Sequence, residues 1–258
     1  MTLQPFELRA YLDRLGLASE SGVVGLAQMQ AAHLDALPFG DIDAFLGRVP
    51  DVAPQPVWQK LIATRCDGWC FEQNTLALRA LAALDYSATP VMARVVNRDT
   101  GLPGPRSHMA LIVQAESTEW LFDVGFGGPG APVPLRLGTG DWQGTHRLRT
   151  EGAATVLEMA RPDGPAPLYI FDRAPVLPVD IEAANFLAAT WPRAPFPGNL
   201  MVNKGAGETK TSLLNRRLTQ DGRTREIADA ADLAHVLTDV FGLNRSQDVP
   251  ALWARLKA

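Results

Sequence analysis

Apolar residues recur at helical spacing through the first third of the chain. Phe6, Tyr11, Leu12 and Leu15 share one face of a segment that Gly16 ends, and Leu26, Met29, His33 and Leu37 keep that spacing until Pro38. Trp58, Leu61 and Ile62 suggest another short helix. Cys70 to Leu84 is a strong helical run whose buried stripe is Leu76, Ala77, Ala80, Leu81 and Leu84. From about residue 87 the period shortens. Pro90–Val96, His108–Val113 and Trp120–Val124 read as strands, followed by Thr145–Leu148, Thr155–Met159 and Leu168–Phe171. Gly and Pro punctuate these runs at Gly101, Pro103, Gly104 and Pro105, and again from Gly125 to Gly130. Helix returns at Ile181–Ala189, Pro192 to Pro197 mark a loop, and Ile227, Leu233, Leu237 and Phe241 share a late helical face. Pro250 suits the first turn of a last segment. Helices, then an antiparallel sheet or barrel, then a mixed tail make an α+β chain with segregated parts.

The 258 residues, 47% hydrophobic and 20% charged, are ordinary globular composition for one or two domains. A net charge of -4 argues against nucleic acid as a partner, which would call for a basic face. It leaves room for a local basic pocket. Arginine outnumbers lysine, which occurs only at 60, 204, 210 and 257. No apolar stretch approaches the ~18 residues of a membrane helix, and Met1-Thr2-Leu3-Gln4-Pro5 shows no basic and apolar leader. Two cysteines, Cys66 and Cys70, cannot build a disulfide framework. The expectation is a soluble cytoplasmic protein in a reducing compartment, with no membrane partner.

Three residues carry candidate chemistry. Cys70 opens a predicted helix, where unpaired N–H groups and the helix dipole stabilise a thiolate. His108 opens a predicted strand. Asp123 lies in the apolar run Trp120–Gly125, where a carboxylate is costly unless paired. A histidine on the neighbouring strand is a natural partner. Singly, each has a plain reading: an inert buried thiol, a satisfied histidine, a turn aspartate. Together they are the nucleophile, base and orienting acid of covalent catalysis. Cys66 and Cys70 are too few for zinc, and His33, His146 and His235 add no ligand pattern, so no metal site is expected. His146, in an alternating run, is expected at the surface.

The segment Arg65-Cys66-Asp67-Gly68-Trp69-Cys70-Phe71-Glu72-Gln73-Asn74 resembles the active-site cysteine motif of the arylamine N-acetyltransferases. Ser107–Leu111 resembles their histidine motif and Phe122–Gly128 their aspartate motif. The spacings, 38 residues from Cys70 to His108 and 15 from His108 to Asp123, are also similar. The resemblance implies a helical bundle over residues 1–85 carrying the nucleophile, with a β-barrel over 86–180 carrying His and Asp. An interdomain helical segment and α/β lid would follow over 181–258, on a core like that of cysteine proteases and transglutaminases. It implies acetyl transfer from acetyl-CoA, as co-substrate, to an arylamine or arylhydrazine by a ping-pong route with Cys70, His108 and Asp123 as triad. By motif position Phe39, Val95, Ser107 and Phe126 would meet the acceptor, and Gly104, Pro105, Gly127 and Gly128 the CoA. Amide synthases that close longer acyl chains onto aromatic amines share these motifs. A transglutaminase-like hydrolase shares the Cys, His, Asp order.

The chain also departs from the resemblance. Relatives carry Arg-Gly-Gly before the aromatic residue and cysteine. Here the arginine falls on Cys66 without a gap, or on Arg65 with a one-residue insertion. Asp67 brings a negative charge close to the expected thiolate unless it points away. Gly40-Asp41 stands where relatives commonly carry Glu-Asn. Cys66 itself is expected to be structural or incidental.

Overall fold

The computed structural model describes residues 6–18, 22–206 and 210–256; the amino-terminal pentapeptide and Lys257 lie outside them. The early helices are α1 (Leu8–Leu15), α2 (Gly22–Ala36), α3 (Ile42–Phe45), α4 (Pro54–Trp58) and α5 (Cys70–Ala83). Each helix stops where the chemistry of its end requires. Gly16 closes α1 in the left-handed conformation, at φ 69°, and its N–H returns to the last turn. Pro38 follows α2, and α4 runs on into a π turn at Gln59–Ala63. The stripe predicted for α5 is the buried one, with Leu76, Ala77, Ala80 and Leu81 in the core and Leu84 at its margin.

Eight antiparallel strands follow. They are β2 (Ser87–Val96), β3 (Pro103–Ala115), β4 (Thr118–Phe122), β5 (Leu135–Arg136), β6 (Trp142–Gln143), β7 (His146–Glu151), β8 (Ala154–Met159) and β9 (Ala166–Phe171). They lie in the order β5-β4-β3-β2-β9-β8-β7-β6. The two edge strands meet through one side chain. Gln143 accepts from the Arg136 N–H at 2.8 Å and donates to the Arg136 carbonyl at 2.9 Å, so an amide takes the place of a ladder and nearly closes the barrel. Both faces of β3 are covered. Met109, Leu111 and Val113 pack toward the helices, while Ala110 and Ile112 join the barrel interior. That double burial is why His108–Val113 reads as a continuous apolar run.

Two strand boundaries differ from expectation. Pro103, Gly104 and Pro105 belong to β3, not to the loop before it, so His108 sits within the strand. The β2–β3 register shifts beside them, between Ala93 and Val96, and an irregular pairing tolerates a missing N–H. β4 ends at Phe122, because the Asp123 N–H leaves the ladder and donates to the Gln30 side chain. His146 is also not the surface residue its run suggested. It alternates in phase with Leu148, both buried, and its ring nitrogens meet the Pro129 carbonyl at 2.8 Å and the Thr145 hydroxyl at 3.0 Å.

After α6 (Pro178–Thr190) the tail forms a second antiparallel sheet in the order β1-β10-β11-β12-β13. Its strands are β1 (Phe39–Gly40), β10 (Met201–Lys204), β11 (Thr211–Leu214), β12 (Arg217–Gln220) and β13 (Arg223–Glu226). Helices α7 (Ala230–His235), with a π turn at Val236–Val240, and α8 (Val249–Leu256) cover it. Ile42 and Phe45 of α3 share its core with Val202, Leu213, Leu233, Leu237 and Phe241. The stretch from Phe39 to Phe45 therefore joins the amino-terminal helices to the tail. Among the described residues no helix is long and apolar enough to cross a membrane.

Candidate active site

The first turn of α5 is buried on every side, although it reads Cys70-Phe71-Glu72-Gln73-Asn74. Buried polar groups need partners, and each of these three polar side chains binds a different part of the fold. Glu72 accepts from the Trp69 N–H at 3.2 Å and caps the helix start. Gln73 donates to the Leu37, Pro38 and Gly68 carbonyls, and its Oε1 accepts from His33 Nε2 at 2.8 Å. Asn74 donates to the Met109 carbonyl at 2.7 Å and to Asp123 at 3.2 Å. The turn that presents Cys70 is thereby tied to α2, to the loop after it and to β3.

His108 Nε2 lies 2.7 Å from Asp123 Oδ2, both groups buried, and the Cys70 thiol, which donates to the Ser107 carbonyl at 3.9 Å, stands close enough to the imidazole to favour its charged form. Asp123 receives three further donors: the Tyr169 hydroxyl at 2.9 Å, the Gly125 N–H at 2.9 Å and Asn74. Burial pulls the His108 pKa down, but the Asp123 charge and hydrogen bond, with Cys70 behind them, outweigh it and push it up to about 10. Burial raises the Asp123 carboxyl, and His108 with the N–H donors holds it below the ordinary carboxylate range. Both shifts favour the imidazolium–carboxylate form of the pair. The His108 ring sits against Tyr169 and Phe126, with centroids 4.9 and 5.1 Å away. Gly125 is needed for close approach: a Cβ there would stand 2.5 Å from the Cys70 Cα.

Cys70 and His108 open onto a cleft of about 600 Å³. Phe39, Val95, Ser107 and Phe126, the residues named for the acceptor, all reach its wall. So do Gly104, Pro105, Gly127 and Gly128, named for CoA. Asp123 stands behind His108, outside this cleft. The far wall was not foreseen: Leu187 and Trp191 at the end of α6, then Arg193, Phe196, Met201 and Asn203. Arg193 stacks on Trp191, 4.3 Å from guanidinium carbon to ring centroid. Tyr169 was also missed. Its hydroxyl in an apolar strand was the available signal, since a buried phenol needs a partner.

The departures resolve in space. Arg65 is exposed, with φ 54°, and its carbonyl accepts from the Asn244 N–H at 3.0 Å. Cys66 is half-buried and its thiol donates to the Asn244 carbonyl at 3.3 Å; both cysteines are free. Asp67 points away from Cys70, fully buried against Arg245 at 2.6 Å. Asp41 accepts from the Met201 N–H at 2.8 Å, and burial raises its carboxyl well above the usual range. Among the described residues no group of three His, Cys, Asp or Glu side chains is placed to hold a metal.

The chain is similar to known proteins. A family model described as N-acetyltransferase matches residues 23–249. The arylamine N-acetyltransferase of Escherichia coli (strain K12) is 31% identical over 249 residues, 92% of this chain and 88% of that protein. The solved Salmonella typhimurium arylamine N-acetyltransferase superimposes with a TM-score of 0.90 at 28% identity, covering 96% of this chain and 97% of the other. The Mycobacterium marinum enzyme, solved in complex with CoA, superimposes with a TM-score of 0.88 at 31% identity, covering 97% and 98%. With its helices, near-closed barrel, second sheet and cysteine-bearing helix start, the chain belongs to the arylamine N-acetyltransferase family of acyltransferases.

Proposed function

We propose that this chain acetylates arylamines and arylhydrazines with acetyl-CoA by a ping-pong route through acetyl-Cys70. The carrying observation is that Cys70 and His108 share the floor of a cleft walled by Phe39, Val95 and Phe126, with Asp123 hydrogen-bonded to His108 behind it. His108 takes the Cys70 proton. The sulfur attacks the thioester carbonyl carbon, the bond from that carbon to the CoA sulfur breaks, and CoA leaves with the proton that His108 returns. The amine nitrogen then attacks the acetyl-Cys70 carbonyl. His108 accepts the amine proton, the bond to the Cys70 sulfur breaks, and the imidazolium pair with the sulfur is restored. Asp123 holds the imidazole orientation and stabilises its charge throughout.

The aromatic wall suits a flat acceptor, which Phe39, Val95, Ser107 and Phe126 would line. Gly104, Pro105, Gly127 and Gly128 would let the pantetheine arm approach the backbone. The CoA held by the Mycobacterium marinum relative supports the donor. A reducing, cytoplasmic setting agrees with two free thiols.

The test is acetyl-CoA turnover with an aromatic amine or hydrazine by the wild type and Cys70→Ala. The variant is expected to lose turnover entirely while keeping its melting temperature; retained turnover contradicts the mechanism. Acetyl-, propionyl- and longer acyl thioesters in the same assay separate acetyl transfer from amide synthesis.

A further inference from the structure

The residues just before Cys70 are held by a closed ring of buried charge. Asp67 is fully buried, and a buried carboxylate is costly unless it is paired. Its partner is Arg245, 178 positions later, in the segment between the π turn that extends α7 and the start of α8. Arg245 is itself only 6% exposed, and its donors are all directed at carboxylates. Nε meets Asp67 at 2.6 Å, while Nη1 and Nη2 each meet Asp43 at 3.1 Å. Nη1 also meets Asp248 at 3.0 Å. Asp43 passes the ring to Lys60 at 2.6 Å, and Lys60 to Glu72 at 2.7 Å. Glu72 closes it on the Trp69 N–H. The ring leaves the chain at Asp67 and returns at Trp69, spanning the backbone that feeds the nucleophile into α5.

Two more observations show that this docking is built into the fold. The Asn244 backbone meets the same turn twice, through the Arg65 carbonyl and the Cys66 thiol. Gly40 leaves the space for Asp67: a Cβ there would stand 2.6 Å from the Asp67 Cβ.

We infer that Arg245 is a positioning residue for Cys70: the carboxy-terminal segment reaches under the nucleophile's turn and fixes where its sulfur stands relative to His108. The inference rests on Cys70 being the nucleophile proposed above. Arg245 uses a planar fork with donors to three carboxylates, a geometry that a lysine ammonium reproduces only in charge. Small displacements of a reacting group carry large rate costs.

The experiment compares the wild type with Arg245→Met, Arg245→Lys and the double variant Arg245→Met/Asp67→Asn. It measures melting temperature, the rate of Cys70 alkylation by iodoacetamide, and single-turnover Cys70 acetylation by acetyl-CoA. The double variant removes both charges together, so it folds without an orphaned buried carboxylate and decides the matter where Arg245→Met does not fold. The expected result is that the double variant recovers the melting temperature. Its alkylation and acetylation both stay slower by about tenfold or more, with KM for the amine within about twofold. Arg245→Lys recovers part of the rate. Wild-type alkylation and acetylation rates in the folded double variant would overturn the inference, because Arg245 would then serve stability alone. Alkylation reports the sulfur's setting whether or not acetyl-CoA is the donor. Slowed alkylation with no wild-type acetylation would sustain the positioning role and reject acetyl transfer.

Discussion

The nucleophile is supported from two sides that are built differently. On the barrel side, His108, Asp123, Tyr169 and Asn74 form one short network beside Cys70, and its central members lie 15 residues apart on consecutive stretches of chain. On the opposite side, Asp67 and Glu72, which flank Cys70, are joined through Arg245, Asp43 and Lys60 from distant segments, and the ring meets the backbone of the turn at the Trp69 N–H. In the proposed reaction the first network would handle protons, and the second is inferred to handle position. A protein can alter the second set while keeping the first intact, since any well-paired buried ions that fix the turn will serve. In this chain the turn rests on a guanidinium from the tail, and Arg65 is exposed.

Substitutions that separate the two networks sharpen the contrast. The largest effect is expected from Asp123→Asn, which keeps the shape but loses the charge and tautomer control of His108. Acyl-transfer kcat is expected to fall by about 10³–10⁴ with little loss of fold, measured by steady-state kinetics beside circular dichroism. A fall of less than tenfold would show that Asp123 is not the orienting acid. Gly40→Ala attacks the other side. Its methyl group would overlap Asp67 and is expected to cost about 1–3 kcal/mol of stability, read by urea denaturation; an unchanged midpoint would mean the turn is not tightly seated. Tyr169→Phe removes one donor from a buried carboxylate while leaving His108 its partner. It is expected to slow acyl transfer by about tenfold with KM little changed, and wild-type kinetics would show that Asp123 has donors to spare.

The smallest effect is in pH dependence, and its sign follows from two of the shifted histidines, His108 and His33. His108, raised to about 10 from 6.5, gives the folded state stability that is full below pH 6.5 and is lost as pH rises through about 10. His33 is buried between Tyr11 and Gln73, and burial lowers its pKa to about 4. The stability it confers is present above 6.5 and is lost as pH falls toward 4. Stability is therefore expected to peak near neutrality. His108→Gln should flatten the alkaline limb and His33→Gln the acid limb, each followed by thermal denaturation across pH. Unchanged limbs would contradict the assignment.

These two sides also differ in how far they could be read from the chain. Cys70 at a helix start, and a carboxylate stranded in Trp120–Gly125, are local signals, and local physics exposes them. Tyr169 was visible in the same sense, as a hydroxyl among apolar strand residues. His146 was misjudged because its run alternates from His146 and not from Arg147, and one step of phase exchanges the faces of a strand. Pro103–Pro105 read as a loop because proline and glycine mark loops, and the bulges that admit them lie in β3 itself, where three steps from Arg106 to Pro103 face two from Arg94 to Val96. The strands from Met201 to Glu226 are four residues each, too short for a period to declare itself. The Asp67–Arg245 pair left no trace at all. Arginine is plentiful here, and nothing local to Arg245 marks it as the one that crosses beneath Cys70. The apolar pattern shows what must be buried; which of many charges answers a buried carboxylate is settled by the folded topology.

The central claim is that Cys70 carries the acyl group, and mass spectrometry of the protein mixed with acetyl-CoA alone tests it most directly. The account predicts a single acetyl group on the peptide bearing Cys70, discharged when an arylamine is added, with one acetylated amine formed per adduct lost. An unmodified Cys70 under turnover conditions, or an adduct confined to Cys66, would contradict it.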